Sequence, residues 1–70
     1  MKRKSLKLRL QSSRDALEEC LAELREAVET LDRLELEGEE PPVRAADVDR
    51  AYSLCLTAHR TLDKLVGKFR

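Results

Sequence analysis

Leu10, Leu17, Leu24 and Leu31 recur every seven residues, and Val48, Cys55, Leu62 and Phe69 repeat the same step. An apolar recurrence of this length keeps one side chain per two helical turns on a single face, so each run predicts an amphipathic helix. Between the runs stands Gly38-Glu39-Glu40-Pro41-Pro42. Gly38 suits the position just past a helix end. The two prolines cannot continue a helix. Two periodic segments joined by a short Gly/Pro break predict an all-α fold, an antiparallel two-helix hairpin with coiled-coil-like packing.

The boundaries follow from the same marks. Residues 1–70 form one domain, with a basic tip or arm at 1–11, helix at 12–37, loop at 38–43 and helix at 44–69. Asp47 and Asp49 suit the N-terminal end of the second helix dipole, and Lys64 and Lys68 its C-terminal end. The start of the first helix is open to two readings. Ser12 followed by Asp15 resembles a capping box and opens a helix near Ser13. That leaves Ser5 to Gln11, where leucine alternates with base, as a strand-like arm. Leu6 and Leu10 also keep the helical repeat, which extends the helix back to about Lys4 with a frayed tip.

If the recurring leucines are position a, position d holds Leu6, Ser13, Cys20, Ala27 and Leu34, and position e holds Lys7, Arg14, Leu21, Val28 and Glu35. In the second segment d holds Ala51, Ala58 and Leu65, and e holds Ala45, Tyr52, His59 and Val66. Both segments therefore predict a wide a/d/e stripe rather than a narrow seam. Folding at the loop sets Leu31 near Val48, Leu24 near Cys55, Leu17 near Leu62 and Leu10 near Phe69, with Ala27 beside Tyr52.

Seventy residues bury too little surface to be stable without help. Charged residues make up 40% of the chain and aromatics 3%, which excludes a disorder-like composition and suits long helices. Two cysteines without CxxC spacing make no disulfide framework, and both are expected as buried thiols in a reducing compartment. Association is the remaining aid. The wide stripe, with Leu54 and Leu56 beside it on one segment and Leu8 and Leu36 on the other, predicts a four-helix bundle formed by dimerisation or with a larger helical partner. Leu21, Val28, Tyr52, Leu54, Leu56, His59 and Val66 are the expected partner-binding residues.

Net charge is zero, but it is partitioned. Lys2, Arg3, Lys4, Lys7 and Arg9 open the chain without an acid. Residues 11–40 hold eleven acids and three bases, a net of −8, and residues 41–70 hold six bases and three acids, a net of +3. Unlike segments attract, which favours antiparallel pairing within the chain. The basic start offers contacts to phosphate, to an acidic protein surface or to an anionic membrane face. No aromatic residues interleave it, and the acidic segment repels nucleic acid. The same composition suits an organelle transit peptide, although a cytoplasmic protein is the default. No apolar run approaches the length of a membrane span.

Cys20, Cys55 and His59 are the residues with site chemistry. Thiolates and an imidazole suit zinc, with Glu19, Glu23 or Asp63 as a fourth ligand. The plainer reading has two small thiols in core layers and a histidine at the stripe edge, with no metal and no cofactor. Cysteine–histidine catalysis needs a water-excluding pocket, which two helices do not make, so no catalytic residue is expected.

Two likenesses remain. Leu21-Ala22-Glu23-Leu24-Arg25-Glu26-Ala27-Val28-Glu29-Thr30-Leu31-Asp32, with Tyr52, resembles the exodeoxyribonuclease VII small subunit. That family has a shorter connection and a glycine where Cys55 stands. Leu62-Asp63-Lys64-Leu65-Val66-Gly67-Lys68-Phe69 is similar to the closing motif of the small sporulation phosphatases that act on aspartyl-phosphate response regulators, with His59 in place of the family's serine. The first likeness implies a non-catalytic subunit of a nuclease, the second a docking phosphatase. The residues themselves lead to a non-enzymatic interaction or assembly module.

Overall fold

The computed structural model describes residues 2–69. The chain forms α1 (Lys2–Leu36), a connecting loop and α2 (Ala45–Val66), and the two helices pack antiparallel into a rod of 55 × 15 × 14 Å. No strand occurs among the described residues. The alternating leucines and bases of 5–11 are helical. Nothing between Lys4 and Ser12 breaks a helix, and adding residues to an existing helix is far cheaper than nucleating another element. The period of two leaves its trace in Leu8, which faces outward at 59% exposure.

The end of α1 is closed as the glycine predicted. Gly38 has φ +83°. The Glu39 N–H donates to the Leu34 carbonyl at 2.9 Å and the Gly38 N–H to the Glu35 carbonyl at 3.1 Å, the paired bonds of a Schellman ending. The start of α2 is capped from across the turn. Arg44, the N-cap residue, makes no side-chain cap bond. The Ala45 N–H instead donates to Glu35 Oε2 at 3.1 Å. At the far end Phe69 N–H donates to the Val66 carbonyl, which folds the half-buried ring back toward α1.

The packing seam is narrower than the sequence repeat implies. In α1 the more enclosed residues are Lys7, Leu10, Gln11, Arg14, Leu17, Leu21, Leu24, Ala27, Val28, Leu31, Leu34 and Glu35. In α2 they run Ala45, Val48, Tyr52, Cys55, His59, Leu62 and Val66, with Leu56 half-buried beside them. Most of these are positions a and e, spaced three and four, the pattern of a two-stranded coiled coil, joined toward the loop end of α1 by Ala27 and Leu34 at position d. Position d falls outside over most of the rod: Leu6, Ser13, Cys20, Ala51, Ala58 and Leu65 are exposed, while Ala27 and Leu34 are half-buried. The expected a/d/e stripe thus holds in α1 only near the loop, at Ala27 and Leu34, and narrows to a/e elsewhere. The cause is size, because e carries Leu21, Val28, Tyr52 and Val66 whereas d carries mostly serine, cysteine and alanine.

The register also differs from direct a-to-a pairing. Cys55 Sγ lies 4.0 Å from the Leu17 carbonyl oxygen, beside the Cys20 thiol. An a/e seam accounts for this, since antiparallel strands alternate a against e. Tyr52 meets Arg25, through a 2.9 Å bond from Arg25 Nη2 to the Tyr52 hydroxyl.

Candidate partner-docking face

The seam has two unlike sides. In each helix, d and e flank a in opposite directions, at about 100° per residue. Because the helices are antiparallel, both e-sides open onto one face of the rod and both d-sides onto the other. The e-side is closed by polar rungs. Arg14 Nη1 donates to Asp63 Oδ1 at 3.0 Å, His59 Nε2 lies 3.0 Å from Glu18 Oε1, and the Arg25 guanidinium stands 5.7 Å over the Tyr52 ring. Exposed pairs of this kind add little stability, but they fix register and occupy the face.

The d-side has no such rungs. It presents Ser13, Ala16 and Cys20 from α1, and Ala51, Leu54, Ala58, Thr61 and Leu65 from α2, all exposed. Leu54 is 69% exposed and Leu65 38%. The Thr61 hydroxyl donates to the Thr57 carbonyl at 2.9 Å, so its donor is satisfied within the helix. Within the two helices this face is charged at Arg9, Glu23 and Asp47, and between them it leaves apolar and small side chains exposed, the character of a docking surface.

The residues expected to bind a partner divide between these environments. Val66 is buried within the hairpin. Leu21, Val28, Tyr52 and His59 are half-buried along the seam, and Leu56 is half-buried beyond it. Leu54 alone among them stands on the open d-side. Sequence reasoning passed over Ala51, Ala58, Leu65 and Cys20 as docking residues because it gave position d to the core. The contrast between small d and large e residues was the available signal.

Cys20 and Cys55 are free thiols. Cys55 is half-buried, but Cys20 is exposed, which corrects the expectation of two buried thiols. Burial, reinforced by the neighbouring Cys20 thiol, pushes the Cys55 thiol above its ordinary pKa. His59 turns to Glu18. Among the described residues, no three His, Cys, Asp or Glu side chains are grouped to hold a metal ion, and no helix is long and apolar enough to cross a membrane.

The opening turns of α1 form a separate feature. Lys2, Arg3, Lys4 and Arg9 are exposed, and an open groove there is lined by Arg3, Lys4, Leu6, Lys7, Lys68 and Phe69 among others. Acids are absent from the first turn, so these bases sit at the unfavourable end of the helix dipole.

Comparison of the chain with protein families, with curated proteins and with solved structures finds no match. The two family likenesses rest on the residues quoted for them.

Proposed function

We propose that this chain is a non-enzymatic assembly module, a helical hairpin that completes its core against another helical surface. One observation carries the reading. Among the described residues only Leu31, Ala45 and Val66 are buried, and no side chain is fully enclosed. A core that thin does not offset the conformational entropy of ordering so long a chain. The open d-side supplies the missing burial. A cytoplasmic setting belongs to the same reading, supported by two thiols that stand free.

Thermal unfolding followed by circular dichroism over a hundredfold dilution series tests this. A midpoint that rises with concentration supports association. A cooperative transition independent of concentration, from a particle that sediments as a monomer, overturns it.

A second reading, a non-catalytic small subunit of a nucleic-acid enzyme, draws support from the exposed bases Lys2, Arg3, Lys4 and Arg9 at one end of the rod. Binding to labelled DNA that weakens steeply with salt supports that reading. Removal of residues 1–9 without effect on binding removes its basis.

A further inference from the structure

We propose that the basic end of the rod, residues 2–10, docks on an anionic lipid surface, with its bases at the headgroups and Leu6 and Leu8 reaching the apolar boundary beneath them. The proposal is independent of the association reading. It gives the bases a different counterpart from the nucleic-acid reading, and the experiment below separates the two.

The end exists because the helices differ in length. α1 has 35 residues and α2 has 22. Arg14 pairs with Asp63, and α2 ends three residues later at Val66, which antiparallel pairing sets level with Gln11. Residues 2–10 therefore project past α2 by roughly 13 Å, at 1.5 Å per residue. Beside them runs an open groove lined by Arg3, Lys4, Leu6, Lys7, Leu8 and Phe69 among others.

Charge identifies the kind of counterpart. Lys2, Arg3, Lys4, Lys7 and Arg9 stand in this stretch without an acid, and Lys68 is exposed nearby. Among the described residues none of the five is held in an ion pair. Each base brought near an anionic leaflet strengthens binding roughly fivefold. At the opposite end, residues 29–44 hold six acids and two bases. An anionic surface attracts one end and repels the other, so it orients the 55 Å rod.

The leucines narrow the counterpart further. Leu6 is 50% exposed and Leu8 59%. At about 100° per residue they lie nearly opposite each other on α1, and Arg3, Lys4 and Arg9 lie about a third of a turn apart. Bases and leucines thus ring the helix, which is what an alternation of the two types does at helical spacing. A nucleic-acid duplex or a partner helix lying alongside meets one arc of such a ring, and phosphates gain nothing from leucine. A lipid surface that the end enters meets the whole ring. It rewards both residue types, cations at the headgroups and leucine at the acyl boundary.

Co-sedimentation of the full chain with lipid vesicles tests this. Vesicles of phosphatidylserine and phosphatidylcholine in equal parts are compared with pure phosphatidylcholine and with a DNA duplex. Binding to the mixed vesicles, none to the neutral ones and a fall as salt rises are expected. Lys2→Gln, Arg3→Gln and Lys4→Gln together weaken binding roughly a hundredfold. Leu6→Ser with Leu8→Ser weakens it roughly tenfold or more, through lost apolar burial. Leu36→Ser, at a residue 89% exposed near the acidic end, changes nothing. Circular dichroism checks that each variant keeps the helix content of the parent. Where the leucine pair loses helix, Leu8→Ser alone carries the comparison, since Leu8 has no place in the seam. No binding to the mixed vesicles overturns the proposal. So does binding that the leucine substitutions leave intact, which reduces the contact to surface attraction. A duplex bound more tightly than the vesicles assigns the bases to nucleic acid instead. None of these outcomes touches the association reading, which is judged from the concentration dependence of unfolding.

Discussion

Glu35, the penultimate residue of α1, accepts the first backbone N–H of α2 from Ala45 at 3.1 Å. The helix that ends supplies the cap of the helix that begins. Its carboxylate also lies at the positive end of the α2 dipole. Replacing Glu35 with alanine removes both effects and costs about 0.5–2 kcal/mol. Glu35→Gln keeps an acceptor and loses less. Urea unfolding measures this, and an alanine variant as stable as the parent contradicts the cap.

Gly38 and Gly67 separate backbone conformation from helix ending. Gly38 has φ +83°, and a Cβ there meets no atom within 4 Å, so any penalty is conformational. Gly38→Ala loses about 1–2 kcal/mol, the cost of a left-handed conformation for an L-residue. Gly67 has φ −63°, which any residue adopts, and a Cβ there lies 3.4 Å from the Lys64 carbonyl oxygen, in ordinary contact. Gly67→Ala is neutral or slightly stabilising. Paired thermal melts decide, and equal losses at both sites defeat the distinction.

The packing of Leu31 predicts a contrast with Leu36. Leu31 is 9% exposed and Leu36 89%, five residues later on the same helix. Leu31→Ala costs about 2–5 kcal/mol. Leu36→Ala stays within about 0.5 kcal/mol. Denaturant midpoints at one fixed protein concentration give the comparison, which holds association constant.

The Cys55 thiol sets a pH dependence. Burial and the Cys20 thiol raise its pKa in the folded chain, so folding favours the neutral form. A raised folded pKa contributes stability that is fully present below the unfolded value, about 8.5, and is lost as pH climbs through the folded value. The parent chain therefore loses stability under alkaline conditions faster than Cys55→Ser does. Parallel pH profiles for the two exclude this role.

The same pair differs in reactivity. Thiolates react, thiols do not, and access matters as well. In the single hairpin Cys20 is exposed and Cys55 half-buried with a raised pKa, so at dilutions where the chain is unassociated iodoacetamide modifies Cys20 first. Peptide mass mapping at partial labelling shows the order. Preferential labelling of Cys55 contradicts the packing described for it.

The hairpin was legible because its signals are local. Gly38 with Pro41 and Pro42 stops one helix, and the seven-residue recurrences on either side each declare a helix without knowledge of the other. The docking face was less legible. Leu54 was named from its place beside the stripe, but Leu65, Ala58 and Cys20 were given to the core. Tyr52, His59 and Val66, which the repeat puts in the stripe and at its partner-facing edge, lie in the seam. An apolar pattern fixes which residues share a face of one helix. It does not fix how that face is rotated toward a neighbour.

The amino-acid sequence by itself determined two helices, the turn between them, the acidic and basic partition and the shortage of core. These depend on neighbours in the chain and on composition. Only the tertiary structure decided that a and e form the seam, that Cys55 lies against the Leu17–Cys20 turn, and that Glu35 caps α2. Each of those depends on how one helix rotates and slides against the other. That choice is made by the summed fit of side chains across the seam, where large e residues outweigh small d residues.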